Sequence, residues 1–197
     1  KVEYLKPALE AGMAEALAEI DRIAANSEAP TFENTIAAME RGGRMLDRVI
    51  TVYGIYSSTL NDEAVQAVER EMAPKLAAFG DRITQNEALF KRIAAVYGTR
   101  EEAGLTPEQQ RLVWLQYTDF VRSGAKLDAQ AKQRLSEINQ QLAGLYTKFG
   151  QNVLADENNE QLVIEDAADL AGLPEGVRAG AAQVAATRGL PGKWVIA

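Results

Sequence analysis

Apolar residues recur along this chain at helical intervals almost from its first residue. Leu9, Met13, Ala16, Ile20 and Ile23 are separated by 4, 3, 4 and 3 positions, which lays them along one helix face. Pro7 suits the first turn, where its missing N–H costs nothing. Asn26, Ser27 and Pro30 end this helix. Thr31 is the expected cap of the next one, with acidic charge at Glu33 and an apolar stripe at Phe32, Ile36 and Met39. The stripe resumes at Leu46, Ile50 and Tyr53, and the Gly42-Gly43 pair between them predicts a kink or a close helix crossing. Asn61 is the expected cap of a third helix carrying Val65, Val68, Met72, Leu76, Phe79 and Ile83. Pro74 lies inside that pattern and should remove one backbone hydrogen bond without abolishing the helix. Asn86 then starts a shorter helix with Leu89, Ile93 and Val96.

Thr106-Pro107-Glu108-Gln109 is a compact helix start, with threonine as cap, proline in the first position and glutamine placed to close a capping box. The helix it opens carries Leu112, Leu115, Phe120 and Val121. Asp128 caps the longest regular pattern, Ala131, Leu135, Ile138, Leu142, Leu145 and Phe149. So sustained and narrow a stripe predicts a long helix packed antiparallel against a neighbour. The character changes after about residue 155. Gln161–Glu165 reads as a short strand, Pro174–Arg188 as an alanine-rich helix, and Lys193–Ala197 as a second strand.

These elements predict a mainly α fold: a multi-helix bundle of antiparallel helical hairpins with a small strand-helix-strand appendage at the C-terminal end. The expected division is a helical domain over 1–155 and a small βαβ-like extension over 156–197. An apolar strand at Ala197 reads as a truncation of a longer protein.

Composition narrows the chemistry. Without histidine there is no imidazole base, no Ser-His dyad and no His-ligated metal. Without cysteine there is no thiolate nucleophile, no disulfide and no cysteine zinc site. The formal net charge of −7 argues against nucleic acid as a partner, since phosphate backbones are repelled. No apolar run approaches the ~20 residues that cross a bilayer, so no membrane partner is expected. The expected compartment is the cytoplasm, although lack of cysteine fits the periplasm equally.

The remaining candidates for chemistry are carboxylates and aromatics. Asp156, Asn158 and Glu160 share the spacing that opens a calcium loop, but Gln161 stands where that loop needs glycine and Ala167 where it needs glutamate. An exposed acidic loop is the expectation. Glu165, Asp166 and Asp169 cluster beside the first strand, and paired carboxylates can do acid/base work when a cleft holds them together. Capping of a turn is the simpler role. Tyr53 with Tyr56, Trp114 with Tyr117, and Tyr146 with Phe149 are expected to pack in the core or at helix interfaces. Arg111, Arg122, Lys126, Lys132, Arg134 and Lys148, scattered among acids, are expected on solvated faces. No residue is assigned a catalytic, cofactor-binding or metal-binding role.

A resemblance takes the reading further. Lys6-Pro7-Ala8-Leu9-Glu10-Ala11-Gly12-Met13, Ala29-Pro30-Thr31-Phe32-Glu33-Asn34-Thr35-Ile36 and Ala73-Pro74-Lys75-Leu76 come first. Asp119–Ala125, Phe149–Leu154, Leu170–Pro174 and Gly192–Ile196 follow. In this order the blocks resemble the amino-terminal part of the thimet-oligopeptidase-like zinc metallopeptidases, in their peptidyl-dipeptidase and oligopeptidase A branch. A departure is Tyr4, where relatives often carry histidine. The resemblance implies a larger, almost wholly helical, two-lobed parent that cleaves short peptides in a deep channel. It implies zinc bound by a His-Glu-x-x-His helix and a later glutamate, all in the C-terminal half of the parent. No such motif occurs in this chain, so none of those roles falls on its residues. The chain then corresponds to a non-catalytic lobe, inactive alone, whose partners are the C-terminal catalytic lobe and, in the parent, short peptides. A stand-alone helical binding or scaffolding protein is the alternative.

Overall fold

The computed structural model describes residues 1–196. Ala197, the last residue of the expected second strand, lies outside the described residues. The chain forms two compact units, residues 1–147 and 148–197. The fold is mainly α with one two-stranded sheet near the C-terminal end, as the hydrophobic pattern predicts.

In the first unit a short 3-10 turn, Val2–Tyr4, leads into α1, Leu5–Ala24. A π-helical turn, Phe32–Ala37, continues as α2, Ala38–Arg41. Then come α3 (Arg44–Thr59), α4 (Glu63–Thr84), α5 (Glu87–Thr99) and α6 (Pro107–Arg122). The long helix α7, Ala129–Asn159, begins in this unit and runs past Thr147. Capping chemistry sets several of these starts. Thr31 and Asn34 form a reciprocal box, the Thr31 hydroxyl accepting from Asn34 N–H at 3.1 Å and the Asn34 side chain accepting from Thr31 N–H at 2.8 Å. Thr106 and Gln109 repeat the arrangement at α6. Asp128 accepts from Ala131 N–H at 2.8 Å at the start of α7. The third expected cap moves by one residue: Asp62, not Asn61, accepts from Val65 N–H at 2.9 Å. The carboxylate is the stronger partner for the N-terminal N–H groups. Pro74 does sit within α4.

The α1 stripe feeds two cores. Leu9, Met13 and Ala16 are buried with Leu46 and Met72. Ile20 and Ile23 pack against a second cluster built on Ile36, Leu89, Ile93, Val96, Val113 and Phe120. One assigned stripe position on α3 and one on α6 are wrong. Ile50 is 41 % exposed, because Val49 and Tyr53 are the residues that share the Leu46 face. On α6 it is Val113, fully buried, that faces inward, while Leu115 is exposed.

The close helix crossing occurs at Gly12 rather than at Gly42-Gly43. A Cβ on Gly12 would stand 3.0 Å from the Leu46 Cα, so α1 and α3 meet backbone to backbone. Gly43, at φ 73, instead ends one helix and starts the next. Gly124 is confined twice over, by φ +89 and by Leu135 Cδ2 2.6 Å from a virtual Cβ. Gly124→Ala should therefore cost about 1–3 kcal/mol. A thermal melt of the variant should show a lowered midpoint, by about 2–4 °C per kcal/mol.

In the second unit β1 (Leu162–Ile164) pairs with β2 (Trp194–Ile196), Val163 opposite Val195. Between them lie a 3-10 turn, Ala167–Leu170, and α8, Glu175–Thr187. The appendage is therefore strand-helix-strand, but its strands are antiparallel, unlike a βαβ crossover. The 3-10 turn and the left-handed Gly172, φ +87, give the chain an extra reversal that a parallel crossover lacks. Its core is small: Leu170, Ala181, Ala185 and Val195.

Candidate interaction surfaces and a polar cleft

The carboxylates singled out in the sequence do separate, structural jobs. Asp156 and Asn158 lie in the last turns of α7, with Glu160 just beyond, so they form no open loop. Asp166 accepts from Ala168 N–H at 2.9 Å and caps the 3-10 turn that contains Asp169. Glu165 pairs with Lys193, whose ammonium holds the carboxyl below its usual range. Among the described residues no group of three or more acids, cysteines or histidines could hold a metal ion.

The aromatics divide. Tyr117 stacks on Tyr97 with ring centres 3.9 Å apart and on Phe90 at 5.8 Å. Arg100 lies 4.1 Å over Tyr97, and Arg111 lies 4.2 Å over Trp114. Burial, and secondarily Glu69, raises the Tyr53 phenol above its ordinary value. Tyr146 and Phe149 depart from the packing expectation: they are 71 % and 68 % exposed. So is Leu145, at 62 %, with Leu142 and Val153 also exposed on the same helix. The expected antiparallel neighbour therefore does not cover this part of the α7 stripe among the described residues. Met45, Val52 and Ile55 leave α3 with a second exposed apolar row.

Charges bind α1 to α4 on the surface of the first unit. Lys75 Nζ donates to Glu10 at 2.7 Å and to Glu71 at 2.9 Å, and Lys6 reaches Glu71 at 2.6 Å. The Glu71 carboxyl is held below its usual value by Lys6 and then Lys75, and Lys75 is raised first by Glu10 and then by Glu71. A depressed acid stabilises above its unfolded pKa and loses that contribution as pH falls through its folded value. A raised lysine stabilises below its unfolded pKa and loses that contribution as pH rises through its folded value. Lys75→Met should therefore lower the melting midpoint modestly at neutral pH. Melts at acid pH and in about 1 M salt, where the screening length is about 3 Å, should show a smaller difference.

Not every basic residue is solvated. Lys132 is buried, donating to Gln85 O at 3.4 Å and to Glu87 at 3.3 Å. Arg92, which the sequence pattern did not single out, is also buried. Its Nη1 donates to Asn26 O at 2.7 Å and Glu28 O at 3.0 Å, and its Nη2 to Asn34 Oδ1 at 2.8 Å.

A polar cleft of about 450 Å³ opens on the first unit, lined by α4, the end of α6 and the start of α7. Leu76, Ala77, Gly80 and Thr84 form one wall, with Arg122, Ser123, Leu135 and Asn139 opposite. Asp81 lies in it, 8 % exposed, its Oδ1 accepting from Asn139 Nδ2 at 2.7 Å. The buried Oδ2 has no hydrogen-bond partner among the described residues.

No model of a known protein family matches the chain. Individual proteins do. Over 98 % of its length the chain is 37 % identical to the dipeptidyl carboxypeptidase of Escherichia coli K12 and 34 % identical to that of Salmonella typhimurium LT2. It is 27 % identical, again over 98 % of its length, to oligopeptidase A of Haemophilus influenzae. In each case it spans 28 % of the relative's own length. The resemblance read from the sequence blocks is thereby borne out.

Proposed function

We propose that this chain, a segment similar along nearly its whole length to dipeptidyl carboxypeptidases and oligopeptidases A, is the amino-terminal, non-catalytic lobe of a zinc metallopeptidase. The parent hydrolyses short peptides in the peptidyl-dipeptidase manner, and this lobe walls the substrate channel and restricts access to it. The observation that carries the reading is the similarity at 37 % identity over 98 % of the chain against 28 % of the relative. The exposed apolar rows on α3 and α7 support it, since a lobe of a larger protein keeps such surface for the remainder to cover.

The chemistry of the chain fits a non-catalytic role. It has no histidine, and of the carboxylates singled out in the sequence Asp166 caps a turn and Glu165 is held in an ion pair, while Asp62 and Asp128 cap helices. No set of its described residues fits a zinc ion, so no catalytic step is assigned to them. Metal ligation and water activation belong to the rest of the parent.

The test joins the chain to the sequence that follows it in its gene. The joined protein should release dipeptides from the carboxyl end of an unstructured peptide, and a chelator should stop it. The 197 residues alone should release none. A reading frame that stops directly after Ala197, or chelator-sensitive hydrolysis by the chain alone, overturns the reading.

A further inference from the structure

We propose that the cleft between α4, α6 and α7 is a binding site for a small peptide zwitterion, with Asp81 receiving the ammonium and Arg122 the carboxylate. The argument begins with an imbalance. Asp81 is 8 % exposed and half satisfied: Asn139 serves Oδ1, and Oδ2 meets no donor among the described residues. A buried carboxylate oxygen without a donor is costly, and such groups in native proteins ordinarily have a bound partner or a functional role. An ammonium is the donor that best answers a carboxylate.

The same cleft holds the complementary charge. Arg122, exposed at the end of α6, makes no ion pair or side-chain hydrogen bond among the described residues. Guanidinium is the side chain best shaped for a carboxylate. A cavity near 450 Å³ is in the range that small-molecule sites occupy, and it is roomier than a free amino acid fills. Gly80 keeps the wall open: a Cβ there would meet nothing within 4 Å. Oδ2 is shielded from solvent, so the ammonium must displace part of the cleft wall to reach it. Preference for a peptide over other zwitterions rests on the peptidase reading above; the site itself rests on the cleft.

Titration of the 197-residue chain with Ala-Ala, followed by backbone amide NMR, tests the assignment. Saturable shifts are expected at Gly80, Thr84 and Ser123. N-acetyl-Ala-Ala and Ala-Ala amide should each bind about tenfold more weakly or worse, the loss of one charged hydrogen bond. Arg122→Gln should weaken Ala-Ala binding by a similar factor. Gly80→Leu should abolish it by filling the cleft while raising the melting midpoint, because leucine is the better helix former; loss of fold cannot mimic that pair of results. Absence of saturable shifts, equal binding of the acetylated peptide, or indifference to Arg122→Gln overturns the proposal. None of these readouts requires peptidase activity, so failure of the peptidase reading would leave the binding result standing.

Discussion

Replacing Arg92 with leucine is expected to destabilise the first unit by about 3 kcal/mol, more than the loss of a typical surface charge. The guanidinium gathers Asn26 O, Glu28 O and Asn34 Oδ1 within 3.0 Å, and it does so from a buried position on α5. Leucine removes three charge-assisted donors and leaves two backbone carbonyls and one amide oxygen without them. The desolvation cost of Arg92 itself is relieved, which keeps the net effect below the sum of the bonds. The damage should be local. Asn34 also closes the capping box with Thr31, so the segment from Asn26 to the π-helical turn loses both its anchor and the orientation of its cap. Hydrogen exchange should accelerate over residues 26–36 before the rest of the unit. Arg92→Lys should recover only part of the loss, because one ammonium cannot span three acceptors. A leucine variant within about 0.5 kcal/mol of the natural chain in denaturant would sink the account.

Leu9→Ala is expected to cost about 2–5 kcal/mol, the range for emptying a fully buried leucine site. Leu9 is completely buried in the cluster with Met13, Leu46 and Met72. The neighbours are poorly placed to close the gap, since α1 and α3 already touch at Gly12 and cannot approach further. The contrast is Leu145→Ala. With 62 % of its surface in solvent, Leu145 should change the stability of this chain by less than about 1 kcal/mol. In the joined parent the same substitution should cost more if the α7 row is covered there. Chemical denaturation of the two variants in both contexts measures this directly.

Much of the fold was legible because helix periodicity and capping chemistry are local. The α1 stripe, the Thr106 box, the Asp128 cap and the buried Leu89-Ile93-Val96 set all follow from residues near one another in sequence. What escaped was relational. Ile50 and Leu115 are at acceptable helical spacing, but a 3.6-residue period leaves two candidate faces, and only the neighbouring helix decides between them. Arg92 and Asp81 carry no mark in the linear pattern: each is a charged residue on an otherwise ordinary helix, and their burial depends on partners about sixty positions away. The α7 stripe was correctly seen as apolar, yet periodicity cannot say whether a cover lies within the same chain. The lack of histidine and cysteine was plain from composition alone, because a missing residue type needs no geometry to interpret.

The contact that starts α3 has a consequence for the order in which this unit assembles. The Gly43 N–H is accepted by a Glu19 carboxylate oxygen at 2.7 Å, across 24 positions of chain. Gly43 has no side chain to cap its own helix, so the beginning of α3 is written on α1. A ribosome delivers α1 first, and the emerging Gly43 can meet a helix that already presents its acceptor. A circularly permuted chain that places α1 last removes that template during synthesis. Its equilibrium fold should be unchanged, and its refolding should slow at the step that fixes the start of α3.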